Sequence, residues 1–210
     1  MPAFIRPLSA ADLDGCAAIE SAVFPPAEAA TREKIEYRLS TCPEICYGLF
    51  LLTPEDTLPD PTALPVHSGP VRANEEGGVL LAHIISTKSI APVVTDQDMM
   101  LPLDWKSNPK AVTGVGHQPN GKTIALHSLA VSPAHQRSGL GRALMKQFIE
   151  ELEKMGEVER ISILTYDRLV PYYQKLGFQL LGESASNFGG VPWKDMTYTF
   201  AREHVSTDCM

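Results

Sequence analysis

The chain has 210 residues, of which 44% are hydrophobic and 20% charged, which is enough for one well-buried domain over residues 1–210. Its 25 acidic against 18 basic side chains give a net charge of −7 at pH 7, which argues against a broad nucleic-acid or anionic-membrane face and suits a neutral or cationic small partner. No stretch approaches the roughly twenty apolar residues of a membrane span, and MPAFIRPLSAADLDG lacks the basic-then-apolar pattern of a leader, so a soluble, cytoplasmic, monomeric protein is the expectation.

In chain order, FIRPLS reads as a short strand, and Ser9 with Asp12 three residues on reads as a helix N-cap pair before LDGCAAIESAVF. A second helix is predicted after Thr31, with Ile35 and Leu39 on one face, ending before Pro43. The segments ICYGLFLL (45–52) and VLLAHIIS (79–86) are too apolar for a period of two and read as strands buried on both faces. Between them, residues 53–78 are proline-rich and poor in large apolar groups, which predicts a flexible insertion in a hairpin. Residues 95–113 are ambiguous, with DQDMMLPLDW suggesting a broken helical turn.

The four cysteines, Cys16, Cys42, Cys46 and Cys209, have no second paired cluster to complete a zinc site around Cys42 and Cys46. Reduced, partly buried thiols and no metal are expected.

Residues 116–123, GHQPNGKT, match a phosphate-loop pattern, with Gly116, Gly121, Lys122 and Thr123 in its fixed positions. Such a loop must open a helix, because the helix N-terminus supplies part of the anion site. Here TIALHSLAV (123–131) follows, rich in β-formers and ended by Ser132-Pro133, so a turn leading into a strand is predicted and a nucleotide hydrolase is disfavoured.

The order strand, basic glycine loop, helix appears one step later. Leu144, Phe148 and Leu152 recur at i, i+4 and i+8 beside Met145, Ile149 and Met155, predicting a helix over about 140–155. It begins in QRSGLGR, where Gly139 and Gly141 permit close backbone approach and Arg137 and Arg142 flank the free N–H groups with cations suited to phosphate. Downstream, RISILTY (160–166) reads as a strand; Asp167 is a candidate cap for a short helix, with Pro171 in its first turn and Gly177 at its end.

LHSLAVSPAHQRSGLGRALM resembles the acetyl-CoA-binding motif of the GNAT N-acetyltransferase superfamily, and YDRLVPYYQKLGFQLLGES resembles that family's second motif. CPEICYGLF, GHQPNGK, LHSLAV and DRLVPYYQKLGF, in that order, are similar to landmarks of the arylalkylamine (serotonin) N-acetyltransferases. The resemblance implies a single α/β domain, the GNAT fold. Its mixed, mostly antiparallel sheet splays between two central parallel strands and is flanked by helices. It also implies acetyl-CoA as co-substrate and a small primary amine as partner, with serotonin, tryptamine and phenethylamine first and a polyamine as the near alternative. A noncatalytic acyl-CoA-binding module is the alternative from another class.

Acetyl transfer needs the amine neutral, although an alkylamine of pKa about 10 is mostly protonated at pH 7, and it needs a proton for the departing thiolate. His127, mid-strand, is the candidate base, acting through water. The resembled enzymes show His-x-His at this place, whereas this chain reads Ala125-Leu126-His127, so a single histidine plus ordered water must serve. Tyr173 matches the family's proton-donating tyrosine, and Tyr172 is taken as a packing residue. By resemblance, backbone groups of Leu129, Ala130 and Val131 would pair with the pantetheine arm. The pyrophosphate would sit on the loop Gln136, Arg137, Ser138, Gly139, Leu140, Gly141 and Arg142, and Leu164 and Phe24 would line the amine pocket.

Overall fold

The computed structural model describes residues 3–52, 58, 60, 64, 78–108 and 113–201. The predicted insertion at 53–78, apart from four of its residues, and Cys209 lie outside the described residues.

Seven strands form one sheet in the order β1-β2-β3-β4-β5-β7-β6, with β1 Ala3–Pro7, β2 Tyr47–Leu51, β3 Val79–Ser89, β4 Thr123–Val131, β5 Arg160–Thr165, β6 Gln179–Glu183 and β7 Lys194–Thr199. All neighbours are antiparallel except β4 and β5. Helices α1 (Leu13–Val23) and α2 (Arg32–Thr41) cover one face, and α3 (Leu140–Met155) the other.

The sandwiching explains why the strands read as unbroken apolar runs. In β1 and β2, Ala3, Ile5, Tyr47, Leu49 and Leu51 join the core under α3, while Phe4 and Phe50 stack at 5.4 Å in the core under α1 and α2. Helix α3 buries Leu140, Leu144, Met145, Phe148, Ile149 and Leu152, the stripe its spacing predicted, and each such side chain contributes about 1.5–3 kcal/mol on full burial. It stops at Gly156, whose left-handed backbone lets its N–H reach the carbonyls of Leu152 and Glu153.

Local signals fared unevenly. Ser9 N–H and Oγ both donate to Asp12 Oδ2, at 2.8 and 3.0 Å, and Asp12 also receives both arms of Arg6. Thr31 Oγ1 caps α2 by accepting from Lys34 N–H at 3.2 Å. Ile45, predicted as the first residue of a strand over 45–52, instead closes a 3-10 turn over Pro43–Ile45, and β2 begins at Tyr47. Asp167 does not cap α4 (Val170–Gln174); it lies inside a 3-10 turn, exposed, 3.7 Å from Lys194 Nζ. Strands β6 and β7 were not read from the sequence at all.

GHQPNGKT is a turn into β4, and no helix follows Thr123. Gly121 N–H donates to the Gln118 carbonyl at 2.8 Å, and a Cβ at Gly121 would fall 2.4 Å from the Ser89 carbonyl oxygen. The glycine is required by backbone crowding, not by phosphate.

Two features of β4 prepare a site. Its pairing with β5 runs only from Thr123↔Arg160 to Leu126↔Ile163, so the strands part beyond Leu126 and β4 continues to Val131 with a free edge. On its other side, Ile85 faces Ser128 and Ser86 faces Leu126, which leaves His127 as the surplus residue of a bulge. Bulges re-aim side chains, and this one turns His127 toward the gap.

Candidate active site

Two hollows meet at the parting of β4 and β5. One, of about 690 Å³, is lined by His127, Tyr173, Leu164 and Phe24. Aromatic side chains Tyr166, Phe188 and Trp193 and the carboxylates Glu20 and Glu28 complete its walls. The other, about 830 Å³ and more open, is lined by Gln136, Arg137, Gly139, Gly141 and Arg142 with Val131 and Tyr172. Leu129, Leu169 and Tyr173 belong to both.

The second hollow has the features of an anion cradle. Arg137, at φ 62°, and Gly139, at φ 89°, both adopt the left-handed region, which for arginine is strained and turns successive N–H groups to one side. Gly139 precedes the sixteen-residue α3 without a side-chain cap, so the first N–H groups of the helix stay open to a ligand. A Cβ at Gly141 would lie 3.1 Å from Val131 Cγ2 and 3.5 Å from the Tyr172 hydroxyl, so helix, strand and tyrosine converge there. Ser138, Leu140 and Ala130 do not line the hollow. Leu140 and Ala130 are buried in the core, so only their backbone groups could reach a ligand. Gln136 Nε2 donates to the Val131 carbonyl at 3.3 Å, fixing the loop to the end of β4. Tyr172, expected to be packing, does pack against the core under α3 and also helps to wall this cleft, with its ring edge-on to Tyr173 at 5.0 Å.

In the first hollow, His127 Nε2 lies 2.8 Å from Thr87 Oγ1 and Nδ1 lies 3.1 Å from Met99 Sδ. Burial, with the charges of Arg38 and Lys34, holds this imidazole well below its ordinary pKa, so it stays neutral through the physiological range. The Met99 sulfur can only accept, so Nδ1–H donates to it and Nε2 accepts from the Thr87 hydroxyl, which makes Nε2 the basic nitrogen of the ring. Ala125 sits with Val94 and Met99 in a small apolar cluster, so the place of the resembled enzymes' first histidine is dry. Tyr173 is buried, and burial keeps its phenol protonated far above its usual range. Its hydroxyl has no partner among the described residues and is free to donate to a ligand.

Sequence reasoning missed the acids. Glu20 Oε2 accepts from Ser128 Oγ at 2.6 Å and lies 3.0 Å from His83 Nε2, and Oε1 accepts from Ala30 N–H at 2.9 Å. Burial alone would raise its pKa, yet these hydrogen bonds and the His83 charge lower it overall, so Glu20 is an ionised carboxylate at the cavity wall. A signal existed: Glu20 is the one acid among the buried residues of α1, beside Leu13, Cys16 and Ile19. Glu28, in the loop after α1, accepts from the Tyr166 hydroxyl and carried no such signal.

Cys16, Cys42 and Cys46 are buried free thiols; the latter two point Sγ at the Ser86 carbonyl, 3.4 and 3.5 Å away. Among the described residues, no group of three or more His, Cys, Asp or Glu could hold a metal ion, and no helix is long and apolar enough to cross a membrane.

Comparison with solved structures gives the same architecture at low identity. The loading GNATL domain of CurA from Lyngbya majuscula superposes with TM-score 0.62 at 15% identity over 94% of this chain and 97% of that one. The GphF GNAT-like decarboxylase in complex with isobutyryl-CoA does so with TM-score 0.65 at 14% identity, over 93% and 98%. Among curated proteins, serotonin N-acetyltransferase of Mesocricetus auratus is 26% identical over 78% of this chain, and the match spans 60% of that protein's length. That of Macaca mulatta is 31% identical over 38% of this chain and 39% of its own. The model of the acetyltransferase (GNAT) domain matches residues 72–200, a stretch that carries the splayed strands, the glycine loop and Tyr173, and the chain is a member of that family.

Proposed function

We propose that this protein transfers the acetyl group of acetyl-CoA to the primary amine of a small arylalkylamine. One observation carries the reading: the basic glycine cleft and the acidic, aromatic cavity adjoin, with Leu129, Leu169 and Tyr173 in the walls of both. A thioester laid along the free edge of β4 would bring its carbonyl to that junction. The similarity to serotonin N-acetyltransferases supports the substrate class.

Bound acetyl-CoA would supply the activated acetyl group; the chain does the rest. Arg137, Arg142 and the open N–H groups of α3 hold the pyrophosphate. Glu20, ionised, attracts the substrate as its ammonium. His127, kept neutral, takes the ammonium proton directly or through one water, so that the freed nitrogen can attack. Backbone N–H groups on the unpaired edge of β4 polarise the carbonyl. Tyr173 gives its proton to the leaving sulfur.

Thiol release from acetyl-CoA should depend on an added arylalkylamine. Tyr173→Phe should lower kcat by about 10²-fold and His127→Ala by a similar factor near neutral pH, the usual range for general acid–base groups. Thiol release that no amine stimulates would leave an acyl-CoA-binding module as the reading, and a Tyr173→Phe loss below about threefold would remove the tyrosine from its role.

A further inference from the structure

The cavity carries a second carboxylate that the reaction does not use. Glu28 lies in the loop after α1 and accepts through Oε2 from the Tyr166 hydroxyl, while its Oε1 has no partner among the described residues. The backbone of Gly189, at φ 62°, lies close behind it, since a Cβ there would fall 3.0 Å from Glu28 Cγ. Tyr166 is itself fixed against Trp193, ring centroids 4.9 Å apart. A positioned carboxylate with a spare oxygen, set among aromatic rings, is an acceptor waiting for a donor on a flat ligand.

The charges nearby say which donor. The Arg168 guanidinium lies 4.0 Å over the Tyr166 ring, and Lys34 Nζ lies 5.2 Å over the Phe188 ring. Two cations thus back the aromatic walls of this cavity. A second ammonium, as in an α,ω-diamine, would meet them with like charge. A neutral ring hydroxyl or ring N–H would not.

We infer that Glu28 is a specificity-determining residue that accepts a hydrogen bond from a donor on the aromatic ring of the substrate, so that the site selects ring-hydroxylated or indolic amines over unsubstituted arylalkylamines and over diamines. The inference rests on the acetyltransferase reading above. A hydrogen bond to a charged group contributes about 1.5–3 kcal/mol, or roughly 10- to 150-fold in kcat/KM. A site built around such a bond discriminates against the analogue that lacks the donor.

The test is the ratio of kcat/KM for tyramine to that for phenethylamine, which differ only in the ring hydroxyl, with putrescine as a third substrate. Phenethylamine acts as the internal reference, since it reports any loss of folding or catalysis common to both amines. The native protein should show a ratio of about ten or more and should use putrescine less well than either. In Glu28→Leu the ratio should fall to about one, and in Glu28→Gln to an intermediate value. Tyr166→Phe, which frees Glu28 without removing it, should keep the ratio. A ratio unchanged in Glu28→Leu, or putrescine preferred to tyramine, overturns the assignment and leaves acetyl transfer standing. Equal losses for both amines in Glu28→Leu and Tyr166→Phe would make the pair a latch between loops and also overturn it. No turnover of any amine by the native protein would overturn both the assignment and the reading beneath it.

Discussion

His127 has both ring nitrogens engaged, one by Thr87 and one by Met99, and it lies within the influence of two cations on α2. That environment sets the sign of its pH behaviour. A histidine whose pKa is depressed remains a competent base at pH values where an ordinary one, of pKa about 6.5, has lost that capacity. The acid limb of kcat/KM should therefore lie below the usual histidine range. Lys34→Gln removes one depressing charge, lets the pKa rise, and should move that limb to higher pH; a limb that stays in place would mean that the charge does not reach the base. The absent second histidine fits the same picture. Ala125 is packed into an apolar cluster with Val94 and Met99, so that side offers no polar group to relay a proton.

Elements explain where the sequence was legible and where it was not. The stripe of α3, the start of a helix after Thr31 and the glycine loop are local patterns, written in a few consecutive residues, and they appear in the structure as read. So does the turn at GHQPNGKT, where β-formers after Thr123 outweighed the phosphate-loop pattern. The missed pieces depend on partners far along the chain. The residues of β7, KDMTYT, carry little apolar signal, and their strand character comes from insertion between β5 and β6. The loop joining β6 to β7 therefore crosses the cavity and delivers Phe188 and Trp193 to its wall. No spacing rule links them to Glu20 or Glu28. The close approach at the start of α3 permits a sharp test. Gly141→Val would press branched carbons against Val131 and the Tyr172 hydroxyl, and overpacking of this kind costs about 1–3 kcal/mol. It should raise the KM for acetyl-CoA about tenfold or more with a smaller effect on the KM for the amine. Equal changes in both would place the cofactor cleft elsewhere.

At the scale of the whole molecule, α1 and α2 on one face and α3 on the other cover the centre of the sheet, the edge strand β6 is largely exposed, and the two parallel strands part at the centre. Pairing ends at Leu126↔Ile163, and everything assigned a chemical role lies around that opening. The fold class could be read from the sequence because two motifs bracket this opening. Phe24, His127, Leu164 and Tyr173 on the wall of the aromatic cavity were named from the sequence, but the rest of that wall was not, because loops after α1, β3, β5 and β6 build it jointly. The account depends on cleft and cavity being one continuous site. A conjugate joining the coenzyme A sulfur to the nitrogen of tryptamine through an acetyl bridge would span both halves. Calorimetry should find it bound at least about a hundredfold more tightly than coenzyme A, as expected when two subsites are engaged by one ligand. An affinity no better than that of coenzyme A alone would contradict the account.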